Sequence, residues 1–176
     1  MKKLLAALTL ALLCAACSSA DTPAPVNDPA SDAQETEEAL KAVPAQENFS
    51  LTVSGARLTL GAAADIEKLL GKADDKAEAP SCIHEGNDIL YVYPDVEIVT
   101  SPSPQGQYIS SITILSDALA TEEGIRLGDA VSSALTAYGT VESSFGRYQF
   151  VRGASTLTVM TDDAGKITSM SYAFEE

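Results

Sequence analysis

Alternation between apolar and polar residues begins at Phe49 and recurs along the rest of the chain, and it restricts the fold more than any other feature. In "FSLTV" the apolar residues Phe49, Leu51 and Val53 occupy every second position, and "YISSITIL" repeats the alternation farther along. Side chains two residues apart on a strand point to the same face of a sheet. We therefore expect residues 49–176 to form strands that bury one face in a hydrophobic core.

Two stretches with helical spacing interrupt the strand pattern. They read "AAADIEKLLG" and "GDAVSSALTAYG", and in both the apolar residues recur at intervals of three or four. A glycine, Gly71 or Gly139, follows the last apolar residue of each stretch, which is a common helix C-terminus. Each stretch predicts a helix of about ten residues.

The two halves of this region match each other. "LTLG" and "IRLG" precede the two predicted helices, "ILYVY" corresponds to "YQFVR", and "GQYISSITI" corresponds to "GKITSMSY". The match predicts an internal repeat, with copies over about residues 56–118 and 122–176. The fold class predicted is therefore α+β, in which duplicated helix-plus-antiparallel-meander units pack into one domain of residues 49–176.

The first residues have the pattern of a secretory signal peptide. A basic pair precedes an apolar run that ends in the small residues of "LCAAC". This boundary resembles the lipobox of bacterial lipoproteins, which implies a signal peptide over residues 1–16 and a lipid anchor, such as palmitate, on Cys17. Cys14 stands where the lipobox usually has leucine. An ordinary signal peptide, cut after an alanine, is the alternative.

Residues 17–48 differ in composition from the region that follows. Residues 18–47 contain four prolines and seven acidic residues against one lysine. Such a segment cannot bury enough apolar surface to offset the entropy of ordering it, which predicts a disordered acidic tether after the lipidated cysteine. The net charge of the whole chain is −14. This charge argues against nucleic acid as a partner and leaves acylation as the contact with the membrane.

The stretch "SCIHEGND" holds the residues with the most chemical character, Cys82 and His84. Two residues apart on a strand, they would project to one face and could share a metal ion. The further ligands would have to be carboxylates, with candidates Asp74, Asp75, Glu78 and Asp88. A thiol nucleophile is a second possibility. The interpretation that the sequence favours is a structural one, with Cys82 a small buried residue and His84 half-exposed beside a hairpin. Gly86-Asn87 predicts a two-residue hairpin turn.

Other catalytic patterns are missing from the sequence. It contains no Gly-x-Ser-x-Gly elbow, no phosphate-binding loop and no His-Glu-x-x-His pair. Neither a catalytic constellation nor a cofactor site is predicted, and we expect a protein that is not an enzyme. With Cys14 removed in the signal peptide and Cys17 acylated, Cys82 would have no cysteine partner for an intramolecular disulfide, so a hydrophobic core must stabilise the domain.

Several short motifs support a resemblance over residues 50–176. They are "C-x-x-x-G-x-D-x-x-Y-x-Y", "I-x-x-I" and "T-x-E-G-I-x-x-G-D", at Cys82, Gly86, Asp88, Tyr91, Tyr93, Ile109, Ile112, Thr121, Glu123, Gly124, Ile125, Gly128 and Asp129. This pattern, with a helix ending at Tyr138-Gly139, resembles a group of surface lipoproteins of Gram-positive, clostridia-like bacteria with no assigned activity. The repeat also resembles, at the level of fold, β-lactamase inhibitor proteins and small outer-membrane assembly lipoproteins.

Together these patterns predict a location more firmly than an activity. We expect a protein held on the extracytoplasmic face of the bacterial cell membrane by a lipid at Cys17. The function predicted is a non-enzymatic binding module for a protein or envelope component. The alternative is a metal-binding or redox-sensing lipoprotein that uses Cys82 and His84.

Overall fold

The computed structural model describes residues 47–175. Within this range the chain forms nine strands and two helices, which we number in chain order. They are β1 (Ser50–Val53), β2 (Ala56–Thr59), α1 (Ile66–Leu70), β3 (Asp75–Pro80), β4 (Asn87–Val92), β5 (Val96–Ser103), β6 (Gly106–Ile114), α2 (Val131–Tyr138), β7 (Arg147–Arg152), β8 (Ser155–Thr161) and β9 (Ile167–Phe174).

The strands form one large sheet and one hairpin. The large sheet has the order β3-β4-β5-β6-β9-β8-β7, and every neighbouring pair in it is antiparallel. Strands β1 and β2 form a separate two-stranded sheet. Because β6 pairs with β9, the meander β3–β6 and the meander β7–β9 meet in the middle of the large sheet.

One face of the large sheet forms the hydrophobic core, and we call it the core face. Ile98, Ile112, Tyr172, Leu157 and Phe150 are register partners on five successive strands, and all five side chains are buried. Residues directly opposite each other on paired strands share a face, so these five form one apolar row across the sheet. The alternation that starts at Phe49 therefore predicts the buried face correctly.

The hairpin and the two helices also bury apolar side chains in this core. Leu51 and Leu58 come from the hairpin, Ile66 from α1 and Ala134 from α2. The backbone N–H of Phe49 donates to Ser155 Oγ at 2.8 Å, which fixes the entry of the hairpin against β8. The core is therefore enclosed between the large sheet and a layer made of the hairpin and the two helices.

The predicted α+β class with duplicated helix units is wrong. Strands account for 48% of the structure and helices for 10%, and the two helices have five and eight residues. The fold is a β-rich one, built mostly from antiparallel sheet.

The helices are short because the residues predicted to form their first turns are extended and pair with strands instead. Gly61 N–H donates to Ile109 O at 2.8 Å and Ala64 N–H donates to Gln107 O at 3.0 Å, so residues 61–64 lie against the start of β6. Asp65 then caps α1 by accepting from Lys68 N–H. Before α2, Ala130 forms an antiparallel bridge with Lys166. Tertiary pairing thus overrides helical spacing at both sites.

Several predictions lie outside the described residues. These are the signal peptide of residues 1–16, lipidation of Cys17 and nearly all of the acidic tether, and they stay predictions, as do the domain limits and the internal repeat. Among residues 47–175, neither helix is long and apolar enough to cross a membrane.

Candidate functional site

The second face of the large sheet has a different character, and we call it the open face. We define it by the outward residues of β4, β5, β6, β9 and β8, which alternate along each strand with the core residues. They are Asp88, Leu90, Val92, Glu97, Val99, Ser111, Thr113, Ser169, Ser171, Ala173, Thr156, Thr158 and Met160. Eleven of these thirteen residues are uncharged, although residues 47–175 contain 18 acidic residues against 8 basic ones.

The aliphatic side chains of the open face are only partly shielded. Leu90, Val92, Val99 and Met160 are half-buried, and none of them packs against the hydrophobic core. At the β7 edge Val151 is 71% exposed. Apolar surface left in this position is available for contact with another molecule.

An ion pair lies on the core side of the sheet, away from the open face. Arg152 Nη2 donates to Glu123 Oε1 at 2.6 Å, and the two side chains are 33% and 22% exposed. The Arg152 guanidinium also lies 4.3 Å from the centroid of the Phe49 ring, which is a cation–π contact. Burial is the largest single influence and would raise the pKa of Glu123, but the hydrogen bond from Arg152, the positive charge of Arg152 and other contributions together outweigh it, and the pKa is lowered from 4.5. Glu123 is therefore ionised at neutral pH.

Two tyrosine hydroxyls lie near this pair. Burial strongly raises the pKa of both Tyr138 and Tyr172, so both phenols stay protonated at neutral pH. Neither hydroxyl has a hydrogen-bond partner that satisfies normal geometry among residues 47–175. Neither phenol can serve as a base at neutral pH, and the cluster is part of the core packing.

Cys82 and His84 are placed differently from the prediction. The loop of residues 81–86 joins β3 to β4 and is closed by the hydrogen bond from Ser81 N–H to Gly86 O, at 2.9 Å. Cys82 is exposed in this loop, and His84 is half-buried beside a cavity of about 270 Å³. The sequence interpretation of both residues on one strand face is wrong, and so is that of a buried Cys82.

The predicted two-residue hairpin at Gly86-Asn87 is also wrong. Asn87 is already the first residue of β4 and pairs with Pro80, so the turn is a six-residue loop that ends at Gly86. Gly86 has a φ of +123°, and a Cβ there would approach Pro102 Cβ to 3.0 Å. Glycine is thus required at this position for its backbone conformation, as its place at the end of a loop demands.

The predicted metal candidates are not brought together within the described residues. No group of three or more His, Cys, Asp or Glu side chains in residues 47–175 has the proximity to hold a metal ion. Asp75 and Glu78 lie on β3, and Asp88 lies on the open face. The exposure of the Cys82 thiol favours the metal-binding or redox-sensing alternative. The lack of three clustered ligands among residues 47–175 disfavours a metal site. The alternative stays a prediction.

Sequence reasoning missed an unusual turn before β7. Ser144 and Arg147 exchange two backbone hydrogen bonds of 3.0 Å, which makes Phe145 and Gly146 the central residues of a two-residue turn. Their φ angles are +51° and +73°. The Phe145 side chain is fully exposed, at 101%. The dipeptide Phe-Gly was the sequence pattern that could have indicated this turn. It is easily overlooked, because turns of this type normally contain Asn-Gly.

The Phe145→Asn substitution should raise the free energy of unfolding by about 1 kcal/mol, because asparagine tolerates the left-handed conformation better than phenylalanine. Chemical denaturation of the wild type and the variant measures the change. Phe145→Ala is the control, since it removes the same exposed ring and leaves a non-glycine residue at positive φ. A stability of the Asn variant equal to or below that of the Ala variant would contradict backbone strain at this turn.

Comparison with known proteins adds no identification. No family model, curated protein or solved structure matches the chain. The resemblance to clostridial surface lipoproteins therefore stays a prediction from the motifs, and function has to be argued from the surface itself.

Proposed function

We propose that this protein is a lipid-anchored extracytoplasmic binding protein whose open face contacts a partner protein. The single observation that carries the proposal is the composition of that face. In an acidic chain, five adjacent strands present mainly hydroxyl and aliphatic side chains, with the carboxylates Asp88 and Glu97 among them and Glu175, just after β9, accepting from Thr156 Oγ1 at 3.1 Å. Among residues 47–175, the β1–β2 hairpin and the two helices pack on the core face, so none of these three elements covers the open face.

The chemistry of the open face favours a protein as the partner. The interior of a protein–protein interface is depleted in charged residues, as this face is. Sugars stack on aromatic rings, and the thirteen residues of the open face include no aromatic residue. Glu97 requires a basic or amide group opposite it, because a buried carboxylate without a donor would cost several kcal/mol. The partner expected is a protein with a neutral patch and a donor near its centre.

Phe145 supplies a second contact at one end of this surface. It lies two residues before Arg147, which pairs with Met160 of the open face. Its ring is held outward on a turn whose Gly146 carbonyl accepts from Thr161 N–H at 2.9 Å. Exposed aromatic rings on rigid turns often contribute a large part of the affinity of an interface, because little entropy is lost when they bind.

Lysines placed within the open face should weaken this binding. We expect Ser111→Lys combined with Thr158→Lys to reduce the affinity for the partner by at least about 10-fold, since two long charged side chains would be brought into an interface whose interior is neutral. The immobilised chain would first be used to capture proteins from an envelope fraction, with mass spectrometry as the readout. Affinity for each captured protein would then be measured by titration.

A matched control carries the same added charge elsewhere. Ser132→Lys with Ala137→Lys places two lysines on exposed positions of α2. This variant should bind as the wild type does. If the open-face variant and the α2 variant capture the same proteins with equal affinity, the open face is not the binding surface.

A further inference from the structure

The two edge strands of the large sheet, β3 and β7, differ in how they are protected against pairing with another chain. β3 carries Asp75, Lys76 and Glu78 and ends in Pro80, and charged residues and proline are what usually prevent such pairing. The middle of β7 reads "YQFV" (residues 148–151), with neither a charge nor a proline. The edge of β7 is therefore suited to the addition of a further strand.

The direction of the backbone groups of β7 follows from the hydrogen bonds at its start. Arg147 N–H donates to Ser144 O and Arg147 O accepts from Ser144 N–H, each at 3.0 Å. One residue earlier, Gly146 O accepts from Thr161 N–H of β8 at 2.9 Å, on the other side of the strand. The N–H and C=O groups of successive residues point to alternate sides of an antiparallel strand. Every second residue after Arg147 therefore has both groups directed away from β8.

Gln149 and Val151 occupy these outward positions. Both residues are exposed, and Val151 is 71% exposed. In the described part of the chain neither forms a hydrogen bond outside the pairing of β7 with β8. Two backbone donors and two acceptors thus lie in a row on exposed residues, with the spacing of a strand.

A second copy of this chain fits the free edge of β7 poorly. If Gln149 pairs with Val151 of the other copy, Gly153 of one copy lies opposite Arg147 of the other, where Ser144 already lies. Centring the pair on Gln149 puts Val151 in that same place, and centring it on Val151 leaves Gln149 opposite a turn. Both copies would also bring the charge excess of residues 47–175, 18 acidic residues against 8 basic ones. The free edge instead suits a short extended peptide.

The side chains along this edge select the composition of the peptide. Arg147, Gln149 and Val151 project to one side of β7, opposite to the buried Phe150. Arg147 is exposed and forms no ion pair among residues 47–175. In an antiparallel pairing, a carboxylate opposite Gln149 is a diagonal neighbour of Arg147, and an aliphatic side chain opposite Val151 covers its exposed surface. The peptide favoured therefore has an aliphatic residue two positions before an acidic one.

We propose that the outer edge of β7 binds an acidic extended segment of another protein by strand addition, as an eighth strand of the seven-stranded sheet. The backbone of Gln149 and Val151 supplies the hydrogen bonds. Arg147 and Val151 select the aliphatic and acidic residues of the segment. The site shares no residue with the open face, so either surface can bind without the other.

Titration of the isotope-labelled full chain with a peptide, followed by nuclear magnetic resonance, tests the proposal. The probe is the acetylated and amidated pentapeptide Thr-Val-Thr-Glu-Thr, at up to about 5 mM, because a short strand binds weakly. We expect the largest amide shifts at Gln149 and Val151, and slower hydrogen exchange of the same two amides. The same peptide N-methylated at its valine and glutamate should bind at least about 10-fold more weakly, because these residues can no longer donate.

Proline substitutions distinguish backbone pairing from side-chain contact. Val151→Pro removes an outward N–H and keeps the bonds to β8, and edge strands tolerate proline at such positions. It should lower the affinity for the probe at least about 10-fold, whereas Val151→Thr, which keeps the N–H, should bind within about 3-fold of the wild type. Circular dichroism verifies that each variant is folded.

Glu78→Pro is the matched control on the opposite edge of the sheet. Ser81 N–H donates to Gly86 O, so alternation along β3 directs the N–H of Glu78 outward, as that of Val151 is. This variant should bind the probe as the wild type does.

A charge exchange tests the acidic preference. Arg147→Glu should lower the affinity for the probe about 3-fold and raise it for a second probe with lysine in place of glutamate. The proposal is overturned if no amide of β7 shifts, if N-methylation or Val151→Pro leaves the affinity unchanged, or if Arg147→Glu keeps the preference for glutamate. Shifts at β7 that depend on the concentration of the protein without peptide would also overturn it, because they identify a second copy as the occupant.

Discussion

Replacing Ile112 by alanine should lower the free energy of unfolding by about 3 kcal/mol, which is the typical cost of truncating a large buried aliphatic side chain. Ile112 is 0% exposed and lies between Ile98 on β5 and Tyr172 on β9. The cavity left behind would lie in the middle of the core face, where neighbours on both sides are held by paired strands and can relax only partly.

The adjacent residue provides the control for this substitution. Thr113 lies on the open face, half-buried, and pairs with Glu97 and Ser171. Thr113→Ala should cost less than about 1 kcal/mol, because no core contact is lost and only strand propensity changes. Urea denaturation followed by circular dichroism measures both. Equal losses at the two positions would contradict the division of the sheet into a core face and an open face.

Replacing Arg152 by alanine should lower the free energy of unfolding by about 2 kcal/mol. This is less than the 3–5 kcal/mol typical of breaking a fully buried pair, because the Arg152 side chain is 33% exposed. The substitution leaves the Glu123 carboxylate without its donor and removes the cation–π contact with Phe49. Both losses act in the same direction.

Arg147→Ala is the matched control, because Arg147 is on the same strand, exposed and without an ion pair among residues 47–175. Its stability should stay within about 0.5 kcal/mol of the wild type.

The stabilisation by the Arg152–Glu123 pair should depend on pH. The pKa of folded Glu123 is lowered from 4.5, so the pair stabilises the fold above that pH, and this stabilisation is lost as the pH falls through the lower pKa. A wild-type advantage over Arg152→Ala that stays constant as the pH falls below 4.5 would contradict the role of the charge.

The buried face of the sheet could be predicted because its signal is local. Ile112 and Ile114 alternate with Ser111 and Thr113 as in a half-buried strand, and the structure buries both isoleucines. Ile109, three residues before Ile112, reaches the same face because a β-bulge leaves Ser110 unpaired. The helices were predicted at their centres and not at their starts. Residues 61–64 pair with β6 residues more than forty positions away, and no local spacing carries that information.

Strand β3 was not predicted, although it is part of the large sheet. "DKAEAP" is charged, ends in proline and has every residue exposed, so it lacks the alternation of a half-buried strand. It is an edge strand, and charged residues and proline are what keep such an edge from pairing with other chains. The loop at Cys82 was misplaced for a related reason, since β3 was not expected and the hairpin was counted from Gly86-Asn87.

The candidate surfaces could be predicted only in part. The hydroxyl residues of the open face are visible in "YISSITIL" and "ITSMSYAF", but a polar strand face ordinarily indicates solvent. The open face indicates a contact surface because five such strands are adjacent, and this adjacency depends on the pairing of β6 with β9.

The proposed function depends on a direct contact between the open face and a partner protein. A photo-crosslinking amino acid placed at Thr113 or Thr158 of the full chain tests it directly in the cells that produce the protein. Control positions are Arg57 and Ser132, which are exposed and lie outside the open face. We expect a discrete adduct of higher mass from the two open-face positions and none from the controls. No adduct from Thr113 and Thr158, or the same adduct from all four positions, would contradict the claim.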